Sequence, residues 1–103
     1  MEPNIEEVSL EEKYQLEETC QRFLQQKKNL LFSDLMKAVE RVGFEVRHKG
    51  SSHQIAKHPT YQLGPPYYDT LNFQESKGTA KKYQVEQFVD FVRNAQPKKG
   101  KYE

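Results

Sequence analysis

Leu16, Cys20, Phe23, Leu24 and Lys27 recur at i, i+4, i+7, i+8 and i+11, which is one face of a helix. Ser9-Leu10-Glu11-Glu12 precedes that run as a capping box, with Ser9 as N-cap and Glu12 at N3. Glu11 and Glu12 stand near the positive end of this helix, Lys27 and Lys28 near its negative end, as the macrodipole favours. Asn29 supplies a stop. A second helix starts from Ser33 as N-cap, with Asp34 in its first turn and Leu35, Ala38, Val39 and Val42 on one face. Gly43 ends it as the left-handed residue that follows many helices.

The period then changes from 3.6 to 2. Phe44 to Lys49 alternates as a strand, Gly50-Ser51-Ser52 marks a tight turn, and His53 to His58 returns as a second strand. Ile55 and Ala56 are adjacent and both apolar, so the pattern leaves the buried face of that strand open. Pro59 to Pro66 reads as loop, because Gly64-Pro65-Pro66 blocks central-strand pairing. Tyr67 to Gln74 holds a third strand, with Leu71 and Phe73 on one face and Thr70, Asn72 and Gln74 on the other. After a loop over Glu75 to Thr79, a last helix near Lys81 to Asn94 carries Val85, Phe88, Val89 and Val92 as its apolar stripe.

The order predicts an α+β protein: an acidic helical extension over residues 1–31, an αβββα domain over 32–94, and a basic, frayed tail over 95–103. The expected core is a three-stranded antiparallel sheet with two helices on one face and the other face uncovered. Double-stranded-RNA-binding domains share that architecture, which does not by itself give a function.

Composition narrows the classes. Apolar residues make up 35% of the 103-residue chain, below the usual share of about 45–50%, so the core is expected to be modest and to lean on its aromatics. Cys20 is the only cysteine, which excludes an internal disulfide and a cysteine zinc knuckle. The first residues lack the basic and apolar regions of a signal peptide, and no apolar run is long enough to span a membrane. A cytoplasmic protein with no membrane partner is the expectation. The net charge of +1 is divided: residues 1–26 hold seven Glu against Lys13 and Arg22, and the remainder is basic. No acidic residue occurs from Val46 to Tyr68, where Arg47, Lys49, Lys57 and all three histidines lie. Such a stretch suits a phosphate-bearing partner, since neutralising phosphates releases counterions.

Chemistry concentrates at the hairpin. Gly50 permits the positive φ a turn demands, Ser51 and Ser52 are small hydroxyl donors, and His53 leaves the turn at a strand end. Histidine titrates near neutral pH and is the usual general acid or base. Lys49 and Lys57 are placed to neutralise a phosphodiester, with turn N–H groups as further donors. A lone histidine on a small sheet is more commonly a surface or hydrogen-bonded core residue. Taking His48, His53 and His58 as a metal triad fares worse, because their five-residue spacing puts neighbours on opposite strand faces. No carboxylate or thiolate lies between them to complete a ligand set. No metal or other cofactor is expected.

Phe32-Ser33-Asp34-Leu35, Val42-Gly43-Phe44, Lys49-Gly50-Ser51-Ser52-His53 and Lys57-His58-Pro59 together resemble the HicA family of toxin–antitoxin toxins. Leu71-Asn72-Phe73-Gln74 followed by Ala80-Lys81-Lys82-Tyr83-Gln84-Val85 is similar to one branch of it, and the likeness covers about Phe32 to Asn94. The resemblance implies a double-stranded-RNA-binding-like fold and a metal-independent endoribonuclease that cleaves mRNA, held inactive by a HicB-type antitoxin. The family's essential histidine corresponds to His53, as general base on a ribose 2′-OH or general acid to the leaving oxygen. Arg47, Lys49, Gly50, Ser51, Ser52 and Lys57 would then hold the RNA phosphate. The family often carries an aromatic three residues after that histidine, where this chain has Ala56. The segment from Tyr61 to Tyr68 is longer than a minimal member's loop, and its tyrosines either pack locally or stack on bases.

Two other classes stay open: an RNA-binding module without catalysis, and a protein-interaction domain that uses a sheet edge or the tyrosine loop. The acidic first helix is expected to dock through Leu16, Cys20, Phe23 and Leu24. A sharper alternative sets its Glu-rich side near the basic face, so that deleting residues 1–28 would raise RNA affinity or activity.

Overall fold

The computed structural model describes residues 10–50 and 52–98. Ser9, the expected N-cap, and Ser51 lie outside the described residues. Among the described residues, three helices, α1 (Leu10–Gln25), α2 (Phe32–Val42) and α3 (Lys82–Asn94), accompany six strands. These are β1 (Glu45–Lys49), β2 (His53–Lys57), β3 (Tyr61–Gln62), β4 (Thr70–Ser76), β5 (Thr79–Ala80) and β6 (Gln96–Pro97). The main sheet has the order β1-β2-β4-β5 and is antiparallel throughout. It therefore has four strands where three were expected, the fourth being two residues long.

The added strand follows from a turn. Lys77 and Gly78 have φ of 52° and 83°, the paired positive values of a two-residue hairpin, so the chain reverses at once and β5 pairs with the end of β4. Gly78 O then accepts from Phe32 N at 3.0 Å, and Ala80 N donates to Leu30 O at 2.9 Å. These bonds explain why α2 starts at Phe32, before Ser33: the N–H of Phe32 is satisfied by the β4–β5 turn, and the N-cap residue Leu31 makes no side-chain cap.

Register settles the face of β2. Ala56 stands between Val46 and Leu71 in adjacent strands and is fully buried, as are Leu71 and Phe73. Ile55 looks the other way. The helices cover the buried face, with Leu35 and Val39 of α2 and Val85, Phe88 and Phe91 of α3 in one hydrophobic cluster. Ala56 belongs to that cluster, so the departure three residues after His53 falls in the core and not on the open face.

The extension docks as part of the same core. Cys20 and Phe23 of α1 are buried, Leu24 packs beside them, and the Phe23 and Phe88 rings lie 6.0 Å apart. Glu17 accepts two hydrogen bonds from Arg93 of α3, at 3.1 and 2.7 Å, which holds its carboxyl below the usual range. Lys27 bonds Glu86 at 2.9 Å. These contacts of α1 and the turn after it are with α3, so Glu17 is spent there and not on the basic hairpin.

Two segments expected to be irregular carry structure. Within the loop after Pro59, β3 pairs with β6, and Lys98 N donates to Thr60 O at 2.8 Å. Lys98 Nζ also pairs with Asp69 at 2.7 Å. The tail expected to fray from residue 95 is thus tied down through Lys98, and residues 99–103 lie outside the described residues.

Candidate nucleic-acid interface

The strand register arranges the predicted residues in rows on the uncovered face. Lys49, His53 and Gln74 are cross-strand neighbours on β1, β2 and β4. The next row is Arg47, Ile55 and Asn72, and the third is Glu45, Lys57 and Thr70. Side chains opposite one another in a sheet have Cβ atoms about 4.5–5.5 Å apart, so Lys49 and Gln74 flank His53 directly. His53, Lys49, Arg47 and Lys57 are all exposed. Among the described residues none of these three cations is in an ion pair. Glu45 stands beside Lys57, yet a face with these cations around an accessible imidazole can bind phosphate and transfer a proton at one point.

The turn between Lys49 and His53 holds three residues, with Gly50 at φ 76°. Nothing lies within 4 Å of a Cβ built there, so the conformation, and not crowding, selects glycine. Ser52 O accepts from Glu75 N at 3.3 Å, which ties this end of the hairpin to β4.

The other histidines are not part of this face. His48 pairs across the strands with Gln54, on the side opposite His53. His58 is 4% exposed and has a structural task. Its Nε2 donates to Val42 O at 3.1 Å, and its Nδ1 accepts from Thr60 N and Tyr61 N at 3.0 and 3.1 Å. Those partners require the neutral ring with its proton on Nε2. Burial lowers its pKa. The ring is framed by Phe44, Tyr61 and Phe91, with centroids 5.0 to 5.5 Å away. The Lys57-His58-Pro59 step is therefore a core anchor at the end of β2, with Lys57 alone facing out. Among the described residues no three His, Cys, Asp or Glu side chains converge as a metal-binding group.

The tyrosines divide similarly. Tyr61 packs against His58, whereas Tyr67 and Tyr68 are exposed. The Tyr67 hydroxyl accepts from Gln87 Nε2 at 3.0 Å, which sets it beside α3. A separate cleft of about 450 Å³ lies between the helices, lined by Thr19, Arg22, Lys37 and Arg41 among others, with no residue from the sheet.

Sequence reasoning missed Gln84 and Lys81. Gln84 is 1% exposed. With its amide oriented to satisfy both partners, it donates to Gln74 O at 3.2 Å and accepts from Gln74 N at 2.8 Å. Lys81 Nζ donates to the Gln74 side-chain Oε1 at 3.3 Å. Both clamp the residue opposite His53. A glutamine in an otherwise apolar helical stripe was the available signal for Gln84; no local pattern marks Lys81.

No protein-family model matches the chain, and neither a curated protein nor a solved structure matches it. No helix among the described residues is long and apolar enough to cross a membrane.

Proposed function

We propose that this protein is a small HicA-like endoribonuclease of a toxin–antitoxin system, cleaving mRNA without a metal and using His53 for proton transfer. The observation that carries this reading is the row Lys49–His53–Gln74 on an uncovered sheet face, with Arg47 and Lys57 in the adjoining rows. Exposed on a strand end, the imidazole can accept the proton of a ribose 2′-OH as that oxygen attacks the adjacent phosphorus, or donate to the leaving oxygen. Lys49 and Lys57 would hold the phosphate and offset its developing charge. The cytoplasm is the compartment in which mRNA would be met, and a HicB-type antitoxin the protein partner that restrains the activity.

A second reading has its own support. No other histidine shares the open face with His53, and the one carboxylate in its three rows, Glu45, sits at the far end beside Lys57. A face with a single proton-transfer group also suits an RNA-binding module without catalysis. Inducible expression of wild type and His53→Ala in a bacterial host, with growth and transcript integrity followed together, separates the two. Arrest with mRNA cleavage by wild type alone, at equal levels of folded protein, supports the ribonuclease. RNA bound equally by both forms and cut by neither supports the binding module.

A further inference from the structure

We infer that Lys81 is a further phosphate-holding cation of the His53 site, positioned there by Gln74; the inference rests on the ribonuclease reading. Gln74 sits across from His53 on β4, and alternation puts its side chain on the uncovered face, opposite Phe73. Its Oε1 accepts from Lys81 Nζ at 3.3 Å, which brings that ammonium to the end of the row away from Lys49. Lys81 is the N-cap residue of α3 but uses no side-chain atom to cap the helix. Gln84, three residues on, holds the backbone of Gln74 through both N–H and C=O. One end of α3 thus fixes Gln74 by its main chain and its side chain.

Charge makes this arrangement suited to an anion. An amide oxygen orients the lysine without neutralising it, and among the described residues no carboxylate is paired with Lys81. An ammonium has three donors, and Gln74 takes one. The remaining two are available to phosphate oxygens. Lys49 on one side and Lys81 on the other then bracket His53, so that a strand laid across β1, β2 and β4 has its phosphates held on both sides of the reacting ribose.

The test measures binding of a single-stranded RNA oligonucleotide in the non-cleaving His53→Ala background, across a salt series. Lys81→Ala and Lys81→Gln, the latter keeping much of the stem, are each expected to weaken binding by roughly three- to tenfold at low salt and to lower the log–log salt slope by about 0.7, one phosphate contact on a single strand. Gln74→Glu, which turns the contact into an ion pair, should weaken binding at least as much. Lys37→Ala, on the exposed side of α2, removes the same charge elsewhere and should change neither quantity. With His53 intact, Lys81→Gln should raise KM for cleavage more than it lowers kcat. If Lys81→Gln matches Lys37→Ala while Lys49→Ala reduces the slope, the inference is overturned and the ribonuclease reading stands. If the protein binds no RNA, or neither lysine matters, both fall together.

Discussion

Gly43 lies so close to the His58 ring that a Cβ at position 43 would stand 3.2 Å from Nε2. Gly43 also has φ of 109° where α2 ends. One residue therefore meets two demands, a left-handed turn and room for the histidine that donates to Val42 O. Gly43→Ala is expected to destabilise the fold by roughly 2 kcal/mol, combining backbone strain with displacement of the ring. Chemical denaturation measures this directly, and an unchanged midpoint would contradict it.

His58 gives stability a pH dependence. Burial holds its folded pKa below the ordinary 6.5, so the unfolded chain binds a proton at higher pH than the folded one. The contribution is fully present above about pH 6.5 and is lost as pH falls from there toward the depressed folded value. Protonation would also turn Nδ1 into a donor facing the N–H groups of Thr60 and Tyr61. Unfolding midpoints should fall between pH 7.5 and 5.5. His58→Gln, which does not titrate, should flatten that slope.

His53 is a surface residue. Because it is exposed, His53→Ala is expected to leave stability within about 0.5 kcal/mol of wild type. On the ribonuclease reading proposed above, RNA cleavage should drop by about 100-fold or more, the usual share of a positioned acid or base. A large loss of stability would mean that any lost activity reports unfolding.

The first helix is structural. Phe23 is 3% exposed against Phe88, so Phe23→Ala should cost about 3–5 kcal/mol. Deleting residues 1–28 would strip that cover from α3 and should yield an unfolded or aggregating chain, not a more active one. Glu17→Gln should cost little, because its pair with Arg93 is exposed. Circular dichroism of the truncated chain decides the point.

Much of this architecture was legible from periodicity, and its failures have physical causes. The helices and the three main strands follow from apolar spacing, and Thr70, Asn72 and Gln74 were already on the polar face. Adjacent Ile55 and Ala56 could not be told apart until pairing with Leu71 chose Ala56 for the core. Strands β3, β5 and β6 are two residues each, too short to show a period, and they exist because the turn at Lys77-Gly78 and the Lys98–Asp69 pair bring them alongside partners. Of the hairpin site, the local half was visible, because Lys49, Gly50 and His53 are near in sequence. The distant half, Gln74 with Lys81, depends on register between strands. His58 stood among the three histidines of the basic stretch, and its burial is not written in a Lys-His-Pro step.

Cys20 gives the fold a built-in reporter. Its thiol is 1% exposed beneath α1, and burial raises its pKa, which disfavours the reactive thiolate. As the chain's only sulfhydryl, it can be labelled without ambiguity. A thiol reagent has to wait for the helix to lift or the whole domain to open, so the modification rate reads how often that happens. Comparing that rate with global unfolding under the same conditions tells whether α1 detaches alone or leaves only with the rest of the core.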